Sequence, residues 1–136
     1  MKRTLALCCL MAVALGCAAQ ERVNVKQFKE KIWDYTLHKD AVVLKTDKPV
    51  ILDFYAVWCG PCKMLTPELN AVMKTRKDKI LLYKIDVDQD TELAKLFQIR
   101  AMPTLYFINT DGSVHQEVGY RDKEELEEII SKFFKL

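Results

Sequence analysis

The features that would direct a chain of this size to nucleic acid, a membrane interior or a structural metal are missing. The formal charge is +2, and without Lys2 and Arg3 the 21 basic residues become 19, matching the 19 acidic ones. A balanced chain has no electrostatic draw toward nucleic acid. The longest apolar run, Leu5 to Leu15, holds eleven residues, too few to span a bilayer. Beyond residue 19 only two cysteines remain, Cys59 and Cys62, and no further Cys or His ligands follow Cys62 at a spacing that zinc would use. No repeat, low-complexity tract or Gly/Ser linker interrupts the rest. A chain of 136 residues with 50% hydrophobic content therefore reads as one domain, able to bury a core without disulfide staples.

What is present begins with an export signal over residues 1–19, followed by the domain over 20–136. Lys2 and Arg3 form a positive start, Leu5 to Leu15 an apolar centre, and Gly16, Ala18 and Ala19 a small-residue end. The preferred reading is cleavage near Ala19. The rival is lipid anchoring at Cys17, because Ala14-Leu15-Gly16-Cys17 is a loose lipoprotein box. A buried amino-terminal helix is the bland reading, and the lack of any polar face speaks against it. The expected location is exported, periplasmic or extracytoplasmic.

The remaining cysteines stand as Trp58-Cys59-Gly60-Pro61-Cys62, after a strand and at the start of a helix. Unpaired N–H groups and positive partial charge at a helix N-terminus favour a thiolate at Cys59, and the thiolate is the nucleophile. The plain alternative is a structural disulfide, as an oxidising compartment would allow. A loop of two intervening residues removes little chain entropy, however, so it would staple poorly. The spacing points to a dithiol that exchanges with other disulfides.

Hydrophobic periodicity supplies the frame. Asn24 and Gln27 form a capping box for a helix carrying Val25, Phe28, Ile32 and Trp33, and Ala41 to Leu44 is expected as a short strand. Val50 to Ala56 reads as a strand buried on both faces. A helix from about Pro61 to Thr75 follows, with Pro67 inside it. Ile80 to Val87 is the next strand, and Asp90 caps a short helix over Thr91 to Phe97. Asp111-Gly112 turns Thr104–Ile108 back into Val114–Val118, and Asp122 with Glu125 caps a final helix. The order is α-β-β-α-β-α-β-β-α, an α/β fold with a central mixed sheet covered by helices on both faces.

This order, with Trp58-Cys59-Gly60-Pro61-Cys62-Lys63 and the later Met102-Pro103-Thr104, resembles the thioredoxin family from about Val25 to the C-terminus. The resemblance implies that Cys59 attacks a substrate disulfide and Cys62 resolves the mixed disulfide. Cys59 is expected at the exposed mouth of the helix. Gly60-Pro61 is the pair of the reducing members, where a more oxidising enzyme typically has a histidine. Asp53 lies within an apolar strand, where burial favours the protonated form and suits a proton shuttle to the second thiol. It matches the family's buried acid, and Lys84 matches the lysine beside it. The alternative for both is a buried pair that only fixes packing. Pro103 matches a cis-proline facing the disulfide, leaving the Met102 backbone free to pair with an extended substrate. Trp58 is expected as an apolar rim, with Gly119 and Tyr120 opposite. Met64 and Met73 read as core, and His38 and His115 as plain surface residues.

The function this implies is an exported reductase of disulfides in cell-envelope proteins. It needs no cofactor beyond its own Cys59–Cys62 disulfide and is recharged by a membrane thiol electron transporter. With no dimerisation insert, a monomer is expected. A disulfide oxidase or isomerase and a cytochrome c maturation reductase share the fold, and a docking module with incidental thiols is the non-enzymatic alternative. Tyr55, Val57 and Met102 depart from the usual family residues, which bears on partner choice more than on chemistry. The stretch from Asp34 to Lys48 is long for the family.

Overall fold

The structure is a computed structural model that describes residues 20–136. The expected export signal and the Cys17 alternative lie outside the described residues. The elements are β1 (Glu21–Arg22), α1 (Val25–Lys31), β2 (Val50–Tyr55), α2 (Gly60–Arg76) and β3 (Leu81–Asp86). They continue with α3 (Thr91–Leu96), β4 (Thr104–Ile108), β5 (Val114–Val118) and α4 (Lys123–Phe134). The sheet order is β1-β3-β2-β4-β5, with β2 parallel to β3 and antiparallel to β4. This is the thioredoxin fold, a mixed five-stranded sheet between helices.

Period-two alternation along the central strands divides the core. Val50, Leu52 and Phe54 of β2 join Phe28 of α1 and Leu93 of α3 on one face. Ile51 points to the other face, with Leu65, Leu69 and Val72 of α2 and Leu126 and Ile130 of α4. Asp53 has the same parity as Ile51, so it lies on the α2 side, opposite Lys84 of β3 in the strand register. Pleat and register thus place the acid and the lysine side by side.

Both capping boxes form. Asn24 accepts from the Gln27 N–H and Asp122 from the Glu125 N–H, and the Gln27 and Glu125 side chains each accept from the cap N–H in return. Two local expectations are corrected. Ala41–Leu44 forms no strand; its apolar residues Val42 and Leu44 pack over the core, and the Lys45 N–H donates to Ile32 O. The additional strand is instead Glu21–Arg22, two exposed residues with no periodicity to betray them, paired with Tyr83 and Lys84. Asp90 occupies the cap position of α3 but its side chain does not cap it; the carboxylate instead accepts from the Val25 N–H at 3.2 Å. Gly112 answers a tight fit: φ is +84°, and a Cβ there would lie 2.6 Å from Val42 O.

Candidate active site

The site forms where β2 ends and α2 begins. After Tyr55 the chain turns through Ala56, with the Cys59 N–H donating to Ala56 O at 3.2 Å. Cys59 is the N-cap of α2 with extended backbone, and its Sγ accepts from the Cys62 N–H at 3.2 Å. Pro61 falls in the first turn, where a missing N–H costs nothing. The two cysteines are joined as a disulfide, their Cα atoms 5.3 Å apart.

The sulfurs are less open than the sequence suggests. Cys59 is 5% exposed and Cys62 is 3% exposed, so the expected exposed mouth is corrected. Both cluster with Ala56, and Tyr55, Val87 and Met102 pack against that cluster. Exposure belongs to the rim: Val57, Trp58 and Met64 all stand well out of the surface. Met64 is therefore not core, whereas Met73 is. The Trp58 indole N–H donates to Asp88 Oδ2 at 2.8 Å, which fixes the ring beside the pair.

Beneath the helix, Asp53 is fully buried. Its Oδ2 accepts from Lys84 Nζ at 2.8 Å, while Oδ1 is buried with no hydrogen-bond partner. Burial pushes the carboxyl above the ordinary aspartate range, and the nearby Lys84 charge and hydrogen bond oppose this without cancelling it. Lys84 Nζ also lies 4.5 Å from the centre of the Tyr55 ring, a cation–π contact that the sequence does not signal.

The Met102–Pro103 peptide bond is cis. The Pro103 carbonyl accepts from the Gly119 N–H at 2.8 Å, and Gly119 holds φ at +93°, a conformation suited to glycine. Tyr120 is half-buried against the core between α2 and α4. Gly60 meets no such demand, since nothing lies within 4 Å of a Cβ built there. His115 is more than a plain surface residue: it contacts Glu117 at 2.7 Å and packs on Phe133. Sequence reasoning also misses Thr66, although its place four residues after Cys62 on α2 is a usable signal.

Two sulfurs that bridge at a polarising helix end, with a buried acid–lysine pair tied to the same helix through Thr66, define the chemistry of a thiol–disulfide oxidoreductase. Residues 23–132 match the thioredoxin family model. The chain is 37% identical over 109 residues to a thioredoxin of Borreliella burgdorferi, covering 80% of this chain and 92% of that one. It is 37% identical over 90 residues to the mitochondrial thioredoxin of Bos taurus, covering 66% of this chain and 54% of that one. Among solved structures, the thioredoxin of Malassezia sympodialis matches with a TM-score of 0.65 at 34% identity, covering 83% of this chain and 89% of that one. The chain belongs to the thioredoxin family.

Proposed function

We propose that this thioredoxin reduces disulfides in extracytoplasmic proteins of the cell envelope. The observation that carries the reading is the Cys59–Cys62 pair at the start of α2, with Asp53 buried on the same side of the sheet. The Cys59 thiolate attacks one sulfur of a substrate disulfide, forming a mixed disulfide and releasing the first substrate thiolate. The Asp53 carboxylate takes the proton of Cys62. Cys62 then attacks Cys59 Sγ, expelling the second substrate thiolate and closing the Cys59–Cys62 bond. Two electrons pass to the substrate, and a membrane dithiol transporter returns them.

Trp58, Gly60, Pro61, Met102, Pro103 and Gly119 form the docking rim in this reading. The open space above Gly60 and the exposed ring of Trp58 support it. Export rests on the sequence of residues 1–19, with processing near Ala19 or lipid attachment at Cys17. Gly60-Pro61 favours reduction over oxidation, since no histidine stands between the cysteines to stabilise the thiolate further.

The test is the reduction potential of the pair, equilibrated against glutathione. A value near that characteristic of thioredoxins, about −270 mV, supports the reductase, whereas one near the strong periplasmic oxidants, about −120 mV, replaces it with a disulfide-forming role. A Cys62→Ser variant should also trap mixed disulfides with envelope proteins. If only cytoplasmic partners are captured from intact cells, the extracytoplasmic role fails.

A further inference from the structure

Among the polar contacts between α2 and the buried acid–lysine pair, the Thr66 hydroxyl has no part in the proposed exchange. It lies about one helical turn after Cys62. Its Oγ1 donates to the Cys62 carbonyl oxygen at 3.2 Å and accepts from Lys84 Nζ at 3.2 Å. A hydroxyl has one hydrogen and two lone pairs, so both bonds form together. Lys84 Nζ simultaneously donates to Asp53 Oδ2 at 2.8 Å. A continuous path thus runs from the backbone of the resolving cysteine, through a hydroxyl and an ammonium, to the buried acid.

We propose that Thr66 is a positioning residue for exchange: its hydroxyl, oriented by the Cys62 carbonyl, holds the Lys84 ammonium against Asp53. This rests on the reading of Asp53 as the acceptor of the Cys62 proton. A helical threonine often bonds back to the carbonyl one turn earlier, and that bond alone would mean only local satisfaction. The second bond, to Lys84, is what a local role does not require. Lysine is a flexible point charge, and the Lys84 side chain keeps 15% exposure, so it has a route to water. Asp53, Thr66 and the Tyr55 ring confine it. The turn carrying Thr66 is itself clamped, because Gln20 Nε2 donates to Thr66 O and to Asn70 Oδ1, each at 3.1 Å.

The other ionisable groups near this path do not substitute for Lys84. Arg22 of β1 pairs with Asp86 at the end of β3 at 3.2 Å, and Asp90 ahead of α3 accepts from the Val25 N–H. Tyr55 of β2 lends its ring to Lys84, and Cys59 and Cys62 of α2 are the reacting thiols. Among the described residues, Lys84 alone donates a hydrogen bond to the Asp53 side-chain carboxylate. Releasing the ammonium therefore disfavours the Asp53 carboxylate, so proton transfer from Cys62 begins at higher pH.

The experiment is the pH profile of insulin disulfide reduction by the purified protein, kept reduced with dithiothreitol. Thr66→Val should move the midpoint alkaline by about half a pH unit, so that the rate well on the acid side of the midpoint falls about threefold while the alkaline plateau is retained. Thr66→Ser should return the midpoint to its wild-type position. A folded Thr66→Val with an unmoved midpoint overturns the proposal, as does a Thr66→Ser shift as large as that of Thr66→Val. Should Thr66→Val fail to fold, Thr66→Ala carries the same expectation. Asp53→Asn separates the two layers. If it abolishes the pH-dependent step while Thr66→Val leaves the midpoint in place, only the positioning role falls. If it leaves the profile intact, the role of Asp53 falls and the proposal with it.

Discussion

Among the described residues, each face of the sheet carries a core of twelve buried side chains, while the buried cluster around the disulfide holds Ala56, Cys59 and Cys62. The two large cores are aliphatic and aromatic almost throughout. The reactive end has an apolar rim open to water and, on the α2 side of the sheet, a buried acid with one carboxyl oxygen unpartnered among the described residues. An arrangement like that is costly in isolation, because an unsatisfied buried acceptor loses its hydration without replacement. It persists because the scaffold, not the site, supplies the stability. Reactivity and stability are thus separated in space, and substitutions in the two regions should fail in different ways.

The largest effect on stability is expected from Phe28→Ala, deep in one core against Tyr35 and Phe97. Unfolding by denaturant should show a loss of about 3–5 kcal/mol, with exchange per folded molecule unchanged. A fall in exchange among molecules that remain folded would break the separation. Gly112→Ala comes next: the left-handed φ and the approach of Val42 O together should remove about 1–3 kcal/mol, again without altering exchange.

At the reactive end the sign reverses. Asp53 has a raised proton affinity in the folded protein, so its contribution to stability is intact below the ordinary aspartate range and is lost as pH rises through the elevated value. Asp53→Asn should therefore be more stable than wild type near neutral pH, by about 1–2 kcal/mol, and the gain should vanish in acid. Exchange near neutrality should slow in the same variant. Equal stability at both pH values would mean that Lys84 fully compensates the burial. The smallest effect is expected at Gly60→Ala, within about 0.5 kcal/mol of wild type, since an added methyl group meets open space. Any loss of exchange there would come from partner approach, measurable as a change in KM rather than in Tm.

Much of this architecture is legible in the chain itself. The capping pairs Asn24/Gln27 and Asp122/Glu125 announce two helices correctly, because caps are local hydrogen bonds between residues three apart. Val50–Ala56 and Thr104–Ile108 stand out as apolar runs bounded by turn residues, and they become β2, which ends at Tyr55, and β4. Other features are illegible for physical reasons. Glu21–Arg22 has no pattern because a two-residue strand is defined by its neighbour. Val42 and Leu44 look like part of a strand because covering a core selects the same residues as pairing in a sheet. Cys59 looks exposed because a helix terminus usually is, whereas the cluster it forms with Ala56 and Cys62 packs with Val87 and Met102, distant in sequence.

The sequence by itself determined the reacting pair, its place at a helix start, the buried acid in its strand and the class of fold. Those follow from spacing, periodicity and capping, which are short-range along the chain. Only the tertiary structure decided that Asp53 and Lys84 share a hydrogen bond, that Asp88 holds Trp58, and that Thr66 joins Lys84 to Cys62. Strand register and the docking of α2 on the sheet set those contacts, and both depend on residues far apart in the chain being packed against one another.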